Sequence, residues 1–390
     1  MAASPPHQGR LGYLFHELCM WHNPGALQSI SSFVEPTRHW ENVETKRRLH
    51  NMVQASGLSD HLVALRARAA TVDELARVHD REYIARVKAM SDDDTKGHHT
   101  CGDGATFGPG GYEVAALAAG GALAAMEAVL EGRVRHAYAL VRPPGHHAER
   151  AEGMGFCIFN NVAVAAAAAL QQHGLERVAI VDYDVHHGNG TQHMFEDDPR
   201  VLFISLHQDS NYPKHSGYVD EVGTGAGRGF TLNLPLPPGS GIGAYRAAFE
   251  RVVIPALDCF QPQLLLVSSG FDASFMDSLA AMSLSSEDFR WMAGQLAAAA
   301  ERLCGGRLLA LHEGGYSELY VPFCGLAVLE ELSGVRTAVQ DPWLHEIANW
   351  GYMELQAHQD RVITQAEGVL QLLRERVAGR TQNGADVSQQ

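Results

Sequence analysis

A short apolar segment that ends in a cluster of charged and imidazole side chains constrains this chain more than any other feature. Residues 177–181 read RVAIV, and the chain continues as DYDVHHGNG over residues 182–190. A run of apolar and β-branched residues of this length is typical of a strand buried on both faces of a parallel sheet. Because sites in such sheets lie at the carboxyl ends of strands, residues 182–190 are predicted to reach a functional site.

The residues after this strand include two kinds of metal ligand, carboxylate and imidazole. Side chains alternate along a strand, so Asp182, Asp184 and His186 are expected on one face. Buried carboxylates are costly without a cation or a full set of hydrogen-bond donors. We therefore interpret Asp184 and His186 as ligands of one metal ion. The alternative is a structural polar cluster that is held by hydrogen bonds.

The order of the predicted elements indicates the fold class. Strand-like and helix-like segments alternate along most of the 390 residues, without a linker or an internal repeat. This pattern is typical of one α/β domain with a mainly parallel central sheet between helical layers. We place the single domain at residues 1–380 and predict a flexible, polar C-terminal tail at residues 381–390.

Four predicted strands end in unusual polar clusters, at residues 142–147, 182–189, 268–272 and 312–316. Clusters that meet at one edge of a parallel sheet are the arrangement expected of an enzyme site. Together they supply a ligand set of two carboxylates and one imidazole, from Asp184, His186 and Asp272. This set suits Zn²⁺ with an open position, and it also suits Fe²⁺.

The same clusters contain candidates for proton transfer and charge stabilisation. The adjacent His146 and His147 are expected to be an acid–base pair, with Asp182 and Asn189 available to orient their rings. Tyr316 follows two glycines, and its hydroxyl could donate to a developing oxyanion opposite the metal. Taken alone, the histidine pair could be surface turn residues, Asp272 a helix cap and Tyr316 a packing residue. Their joint position at strand ends favours a site.

Composition argues against several classes of partner. The formal net charge of −15 disfavours non-specific binding to nucleic acid or to an anionic membrane surface. We find no run of about 18 apolar residues and no secretion signal. The six cysteines show no C-x-x-C pair, which indicates reduced thiols. We therefore expect a cytoplasmic protein that binds neither nucleic acid nor membranes.

Five ordered motifs resemble the zinc-dependent histone deacetylase family. They are RPPGHHA (142–148), GFC (155–157), DYDVHHGNG (182–190), SGFDA (269–273) and EGGY (313–316). The resemblance covers about residues 11–375. It is closest to class II members and to bacterial histone deacetylase-like amidohydrolases, because class I members usually carry Asp at the position of Asn189.

The resemblance implies an arginase-like fold and hydrolysis of an acyl amide on a lysine-like amine. It implies zinc at the Asp-His-Asp set, acid–base roles for the histidine pair, and oxyanion donation by Tyr316. A structural K⁺ is also implied, with ligands partly from backbone oxygens: Asp182, Asp184, His186, Ser205 and Leu206. For the substrate channel it implies Gly155 and Phe156 on one wall, Tyr212 on the other, and Asp103 at the rim.

We therefore expect a deacylase of lysine side chains. The first alternative is an acetylpolyamine or other small-amide deacetylase, which would differ at rim loops 91–111 and 208–229. A catalytically inactive protein that only binds acyl-lysine is disfavoured, because every proposed catalytic position carries a residue suited to catalysis. An arginase-type hydrolase with two metal ions is disfavoured because the motifs carry too few carboxylates to hold two transition metals. The sequence does not determine the natural substrate, the length of the acyl group or whether the protein forms a homo-oligomer.

Overall fold

A computed structural model describes residues 11–27, 35 and 37–387. Its central sheet has eight strands, which we number in chain order: β1 (Leu11–Phe15), β2 (Val63–Leu65), β3 (His136–Leu140), β4 (Val178–Asp182), β5 (Val201–Gln208), β6 (Thr231–Leu236), β7 (Leu264–Ser269) and β8 (Leu308–His312). The order across the sheet is β6-β5-β4-β7-β8-β3-β1-β2, and all neighbouring pairs are parallel. The predicted single α/β domain with a mainly parallel sheet is confirmed.

Helices surround this sheet. They are α1 (Glu44–Ala55), α2 (Val72–Leu75), α3 (Arg81–Asp92), α4 (Gly111–Leu130), α5 (Asn161–Gln171), α6 (Asn189–Phe195), α7 (Ile242–Ala248), α8 (Ile254–Phe260), α9 (Ser286–Cys304), α10 (Val321–Ser333), α11 (Leu344–Ile347) and α12 (Ala357–Val387). A π-helical turn, Phe249–Val253, joins α7 to α8. Short 3-10 turns are Glu17–Trp21, Leu58–His61 and Gly225–Gly227. Two-residue strands pair outside the sheet: Ala26–Leu27 with Thr37–Arg38, His99–Thr100 with Thr106–Phe107, and Gly102–Asp103 with Gly153–Met154.

Strand β4 is buried on both faces, as its sequence predicts. Val178 and Ile180 belong to a hydrophobic cluster with residues of α4 and α5, whereas Ala179 and Val181 belong to a second cluster with residues of α9 and α10. Alternate side chains thus enter two cores on opposite faces of the sheet. This double burial explains why the strand is apolar throughout rather than alternately polar.

The four polar clusters meet because of the strand order. Strands β4, β7, β8 and β3 are consecutive neighbours, and each carries one cluster directly after its carboxyl end. Parallel strands bring these ends to the same edge of the sheet. The predicted convergence is therefore confirmed, and the fold places the four loops side by side.

Helix α4 corrects one expectation from the sequence. It is long and apolar enough, by length and composition, to cross a membrane, whereas no such stretch was recognised in the sequence. In the fold, 72% of its apolar 18-residue window is buried inside the protein. Ala118, Ala119 and Ala122 are fully buried in the core. The helix therefore packs as a core helix.

The C-terminal helix bears on the predicted domain boundary. The backbone of α12 is helical as far as Val387, which includes most of the segment predicted to be a flexible tail. Residues 388–390, and the first ten residues of the predicted domain, lie outside the described residues. The domain bounds and the flexibility of the tail stay predictions.

Gly120 offers a test of the packing around α4. A Cβ at Gly120 would lie 1.9 Å from the Arg68 carbonyl oxygen and 2.4 Å from the Ala70 amide nitrogen. Because these are backbone atoms, Gly120→Ala should lower the free energy of unfolding by about 1–3 kcal/mol in a urea titration. Gly368→Ala in α12 is the matched control, since an added Cβ meets nothing within 4 Å. It should be neutral or stabilise by up to about 1 kcal/mol. Equal stability of the two variants would contradict this packing.

Candidate active site

Three buried side chains from the ends of β4 and β7 lie together. Asp184, His186 and Asp272 each offer one ligand atom, and these atoms all lie within 4.8 Å of one another. His186 Nδ1 is 3.1 Å from Asp184 Oδ1 and 3.2 Å from Asp272 Oδ2. Both carboxylates are fully buried. The structure thus brings the predicted ligand set together.

Local turns, and not the predicted strand alternation, bring Asp184 and His186 together. Strand β4 ends at Asp182, so strand alternation does not extend to Asp184 and His186. Instead, Asp182 Oδ1 accepts a hydrogen bond from the Asp184 amide at 3.1 Å, and Asp184 Oδ1 accepts one from the His186 amide at 3.0 Å. Side chains that bond to the backbone two residues on form Asx turns. Two successive turns therefore fold the ligands inward.

Backbone groups hold the outer oxygens of the carboxylates. The Gly314 amide donates to Asp184 Oδ2, and the Val185 amide donates to Asp272 Oδ1, both at 2.8 Å. A Cβ at Gly314 would lie 2.2 Å from Asp272 Oδ2, so only glycine allows this approach. The inner oxygens, Asp184 Oδ1 and Asp272 Oδ2, consequently face His186 Nδ1.

The electrostatics of this set fit a dication. Burial opposes the protonation of His186, but Asp184 and Asp272 outweigh it and raise the pKa of His186 well above its usual value. The proton on His186 therefore supplies positive charge between the Asp184 and Asp272 carboxylates, as a metal cation would. Metal binding needs the neutral imidazole and would displace that proton. Two carboxylates and one imidazole are a donor set that suits a divalent transition metal.

His146 and His147 lie beside the ligand set, with ring centroids 3.9 Å apart. His146 Nδ1 is 3.0 Å from Asp182 Oδ2, and His147 Nδ1 is 2.8 Å from Asn189 Oδ1. Each ring therefore has the orienting partner that the sequence predicted. Both rings are buried.

The two imidazoles differ in charge. Burial opposes the protonation of His146, but the Asp184 and Asp182 carboxylates raise its pKa to about 10. Burial, together with the positive charges of His146 and His186, lowers the pKa of His147 well below its usual value. Environments that separate the pKa values of two neighbouring groups suit them to different roles. At neutral pH, His147 is the neutral ring that can accept a proton.

Two buried residues, Glu313 and Arg142, brace the histidine loop through contacts that the sequence does not indicate. Glu313 Oε2 accepts hydrogen bonds from the Gly145 amide at 2.6 Å and the His146 amide at 3.2 Å. Burial raises the pKa of Glu313 to about 7. Arg142 donates through Nε to Glu41 Oε1 at 2.8 Å. These contacts link distant segments, and nothing in the motifs indicates such pairs.

A channel of about 250 Å³ leads to the ligand set. The ring centroid of Phe156 lies 5.9 Å from that of Tyr316, and the centroid of Tyr212 lies 5.0 Å from that of His147. A Cβ at Gly155 would lie 2.4 Å from His147 Cδ2, so the wall needs glycine there. The lining residues are Trp40, Asp103, Gly104, His147, Gly155, Phe156, His186, Asn211, Tyr212, Leu279 and Tyr316.

The structure places all four predicted substrate-binding residues along this channel. Asp103 is exposed, and its Oδ2 accepts a hydrogen bond from the Tyr212 hydroxyl at 3.1 Å. Four further lining residues were not predicted: Trp40, Gly104, Asn211 and Leu279. They lie in loops outside the five motifs, where the pattern of the sequence carries no signal.

Tyr316 enters the channel from the loop after β8. Its amide donates to Asp277 Oδ2 at 2.7 Å, a contact that the sequence did not indicate. Asp277 Oδ1 also accepts from the Leu279 amide at 2.9 Å, so one carboxylate fixes two parts of the channel wall. Burial, with Asp272 and Asp184, raises the pKa of Tyr316 well above its usual value. The phenol therefore keeps its proton and can donate a hydrogen bond.

The predicted potassium ligands lie close in the sheet. Ser205 is the register partner of Asp182 on β5, and Leu206 follows it. The Ser205 hydroxyl is 2.9 Å from His207 Nδ1. The K⁺ site itself stays a prediction.

Comparison with known proteins agrees with this geometry. A model of the histone deacetylase domain matches residues 39–332, more than half of the chain. A histone deacetylase-like amidohydrolase of Pseudomonas aeruginosa is 51% identical over 339 residues, which cover 85% of this chain and 88% of that protein. A probable deacetylase of Archaeoglobus fulgidus is 37% identical over 335 residues, 85% of this chain and 89% of that protein.

Two further relatives extend the comparison. Polyamine deacetylase HDAC10 of Homo sapiens is 43% identical over 268 residues, 67% of this chain and 40% of that protein. Among solved structures, the HDA15 HD domain matches with a TM-score of 0.82 and 29% identity, over 97% of this chain and 99% of that one. The predicted deacetylase-like fold is confirmed. The extent of these matches shows that the chain belongs to the histone deacetylase family.

Proposed function

We propose that this protein is a zinc-dependent deacetylase that removes acetyl or another short acyl group from lysine side chains. The observation that carries the proposal is the buried set of Asp184, His186 and Asp272 at the inner end of a narrow channel, beside a neutral His147. Its family makes the chain a hydrolase of amide bonds. The choice of metal and of amine is our inference.

The three ligands would hold the metal and leave a position open. When bound, the ion would supply Lewis-acid polarisation of the amide carbonyl and would acidify a water molecule. Zinc is the ion that we propose, and the same donors also accept Fe²⁺. We propose K⁺ as a structural ion near Asp182, Ser205 and Leu206.

The protein residues would manage protons and charge. His147 donates through Nδ1 to Asn189, so its Nε2 is free to take a proton from water. The Tyr316 hydroxyl would donate to the carbonyl oxygen as negative charge develops there. His147 would then pass its proton to the leaving amine. The charged His146 would favour the negative charge that builds up beside it.

The channel supports an acylated lysine as substrate. Its aromatic walls, Phe156 and Tyr212, suit an aliphatic stem whose charge acylation has removed. A small acylated amine is the second candidate, because similar proteins carry the name polyamine deacetylase. The exposed Asp103 carboxylate at the rim could pair with the free ammonium of such a substrate. We further propose that the acidic protein works in the cytoplasm without nucleic acid.

Tyr316→Phe tests the oxyanion role. It should lower kcat by about 10²–10³, the usual effect of losing one oxyanion donor, with metal content and fold unchanged. Tyr212→Phe is the comparison, because it removes a hydroxyl that bonds Asp103 at the rim. It should lower kcat less than about tenfold and act mainly on KM. Steady-state kinetics on an acetyl-lysine peptide measure both, and near wild-type kcat in Tyr316→Phe would refute the role.

A substrate panel tests the proposed amine. We expect kcat/KM for acetyl-lysine peptides to exceed that for monoacetylated diamines by about tenfold or more, or roughly 1.4 kcal/mol in transition-state binding. Asp103→Asn should change the ratio, because only the diamine offers an ammonium at the rim. A preference for diamines would favour the small-amine alternative. No turnover of either class by metal-replete protein would contradict deacetylation.

A further inference from the structure

A chain of hydrogen bonds runs from His147 to the protein surface. His147 Nδ1 lies 2.8 Å from Asn189 Oδ1, and Asn189 Nδ2 donates to Glu149 Oε1 at 2.6 Å. His193 Nδ1 lies 2.8 Å from the same Glu149 oxygen. Glu149 and His193 line a surface cleft of about 600 Å³. The His193 side chain is 50% exposed, whereas Asn189 is buried.

Glu149 sets the direction of each hydrogen bond in this series. An ionised carboxylate only accepts hydrogen bonds, whereas an amide has one accepting and one donating end. Asn189 must therefore turn its NH₂ group to Glu149 and its oxygen to His147. That oxygen in turn requires a hydrogen on His147 Nδ1, which leaves the lone pair on Nε2. The Glu149 carboxylate, which only accepts hydrogen bonds, thus determines the tautomer of the His147 ring through Asn189.

We propose that Glu149 is a positioning residue for the deacetylation reaction: it orients the Asn189 amide and so holds His147 in the tautomer that can act as a base. The proposal rests on the function proposed above. It names a role for a residue that the five motifs do not single out. An amide passes protons poorly, so the chain orients the base rather than conducting protons.

Local packing supports a fixed arrangement. Asn189 begins helix α6, and a Cβ on the next residue, Gly190, would lie 2.2 Å from the Ala148 carbonyl oxygen. The start of the helix is therefore pressed against the loop that carries His147 and Glu149. The Glu149 amide also donates to the Glu152 carbonyl at 2.9 Å, which closes this loop. His147 and Glu149, the two side chains within 2.8 Å of the Asn189 amide, are thus held in place.

The Glu149 carboxylate also supplies the negative charge that the neutral Asn189 amide lacks. A carboxylate next to the His147 ring would favour the imidazolium that forms during the reaction, and a neutral amide does so less. Glu149 restores a negative charge one contact further away. Together, Asn189 and Glu149 contain one amide and one carboxylate. The amide touches the ring and the carboxylate lies behind it.

A reciprocal exchange of these two groups tests the proposal. Glu149→Gln lets the Asn189 amide turn either way, and it should lower kcat by about tenfold with KM unchanged, a usual effect of losing a group that orients an active-site histidine. Asn189→Asp alone places two carboxylates at hydrogen-bond distance and should lower kcat further. In the double variant Glu149→Gln/Asn189→Asp, the new carboxylate faces His147 and the new amide can donate to it. The double variant should be at least about tenfold faster than Asn189→Asp.

Matched controls separate this role from a structural one. Glu152→Gln removes a carboxylate that is exposed in the same cleft, and it should leave kcat unchanged. Metal content and thermal unfolding of every variant check that the site and the fold persist. A merely structural Glu149 would not be rescued by a second substitution at Asn189.

Each outcome decides between the alternatives. Recovery of kcat in the double variant supports the proposal. A double variant no faster than Asn189→Asp, or a Glu149→Gln variant with wild-type kcat, overturns it. Wild-type protein that fails to hydrolyse any acyl amide would instead refute the proposed function, so the two failures are distinguishable.

Discussion

The close approach of buried carboxylates at one edge of the sheet is the constraint on which the rest of the site depends. Asp182, Asp184 and Asp272 are fully buried, and such groups are stable only beside positive charge and hydrogen-bond donors. His146 and His186 supply the charge, and backbone amides supply the donors. A divalent cation between Asp184 and Asp272 would take over the charge that the His186 proton supplies there.

This charge distribution separates the behaviour of the two adjacent histidines. His146 lies against carboxylates and is held protonated, whereas His147 has a neutral amide as its partner and stays neutral. The strand order makes this contrast possible, because neighbouring strands deliver one loop each to the same edge. Glycines then allow the loops to approach the carboxylates more closely than any side chain would permit. Fold, charge and chemistry are therefore linked at the carboxyl ends of four strands.

Much of this could be predicted from the sequence, because local patterns determine it. Apolar strands, their polar ends and motif order predicted the parallel sheet and the convergence of Asp184, His186 and Asp272. The contacts of Glu313 and Asp277 could not be predicted, because each joins loops from different strands through one side chain. Local turns, rather than strand alternation, explain the ligand geometry. Helix α4 passes a length and composition test for a membrane span because a core helix and a membrane span share the same composition.

In the function proposed above, one metal ion lies between the Asp184 and Asp272 carboxylates. Crystals of the zinc-loaded protein, measured on both sides of the zinc absorption edge, test this position. We expect one anomalous peak about 2.0–2.2 Å from the ligand atoms of Asp184, His186 and Asp272. Zinc-loaded protein without a peak there, with the His186 ring still against both carboxylates, would contradict it.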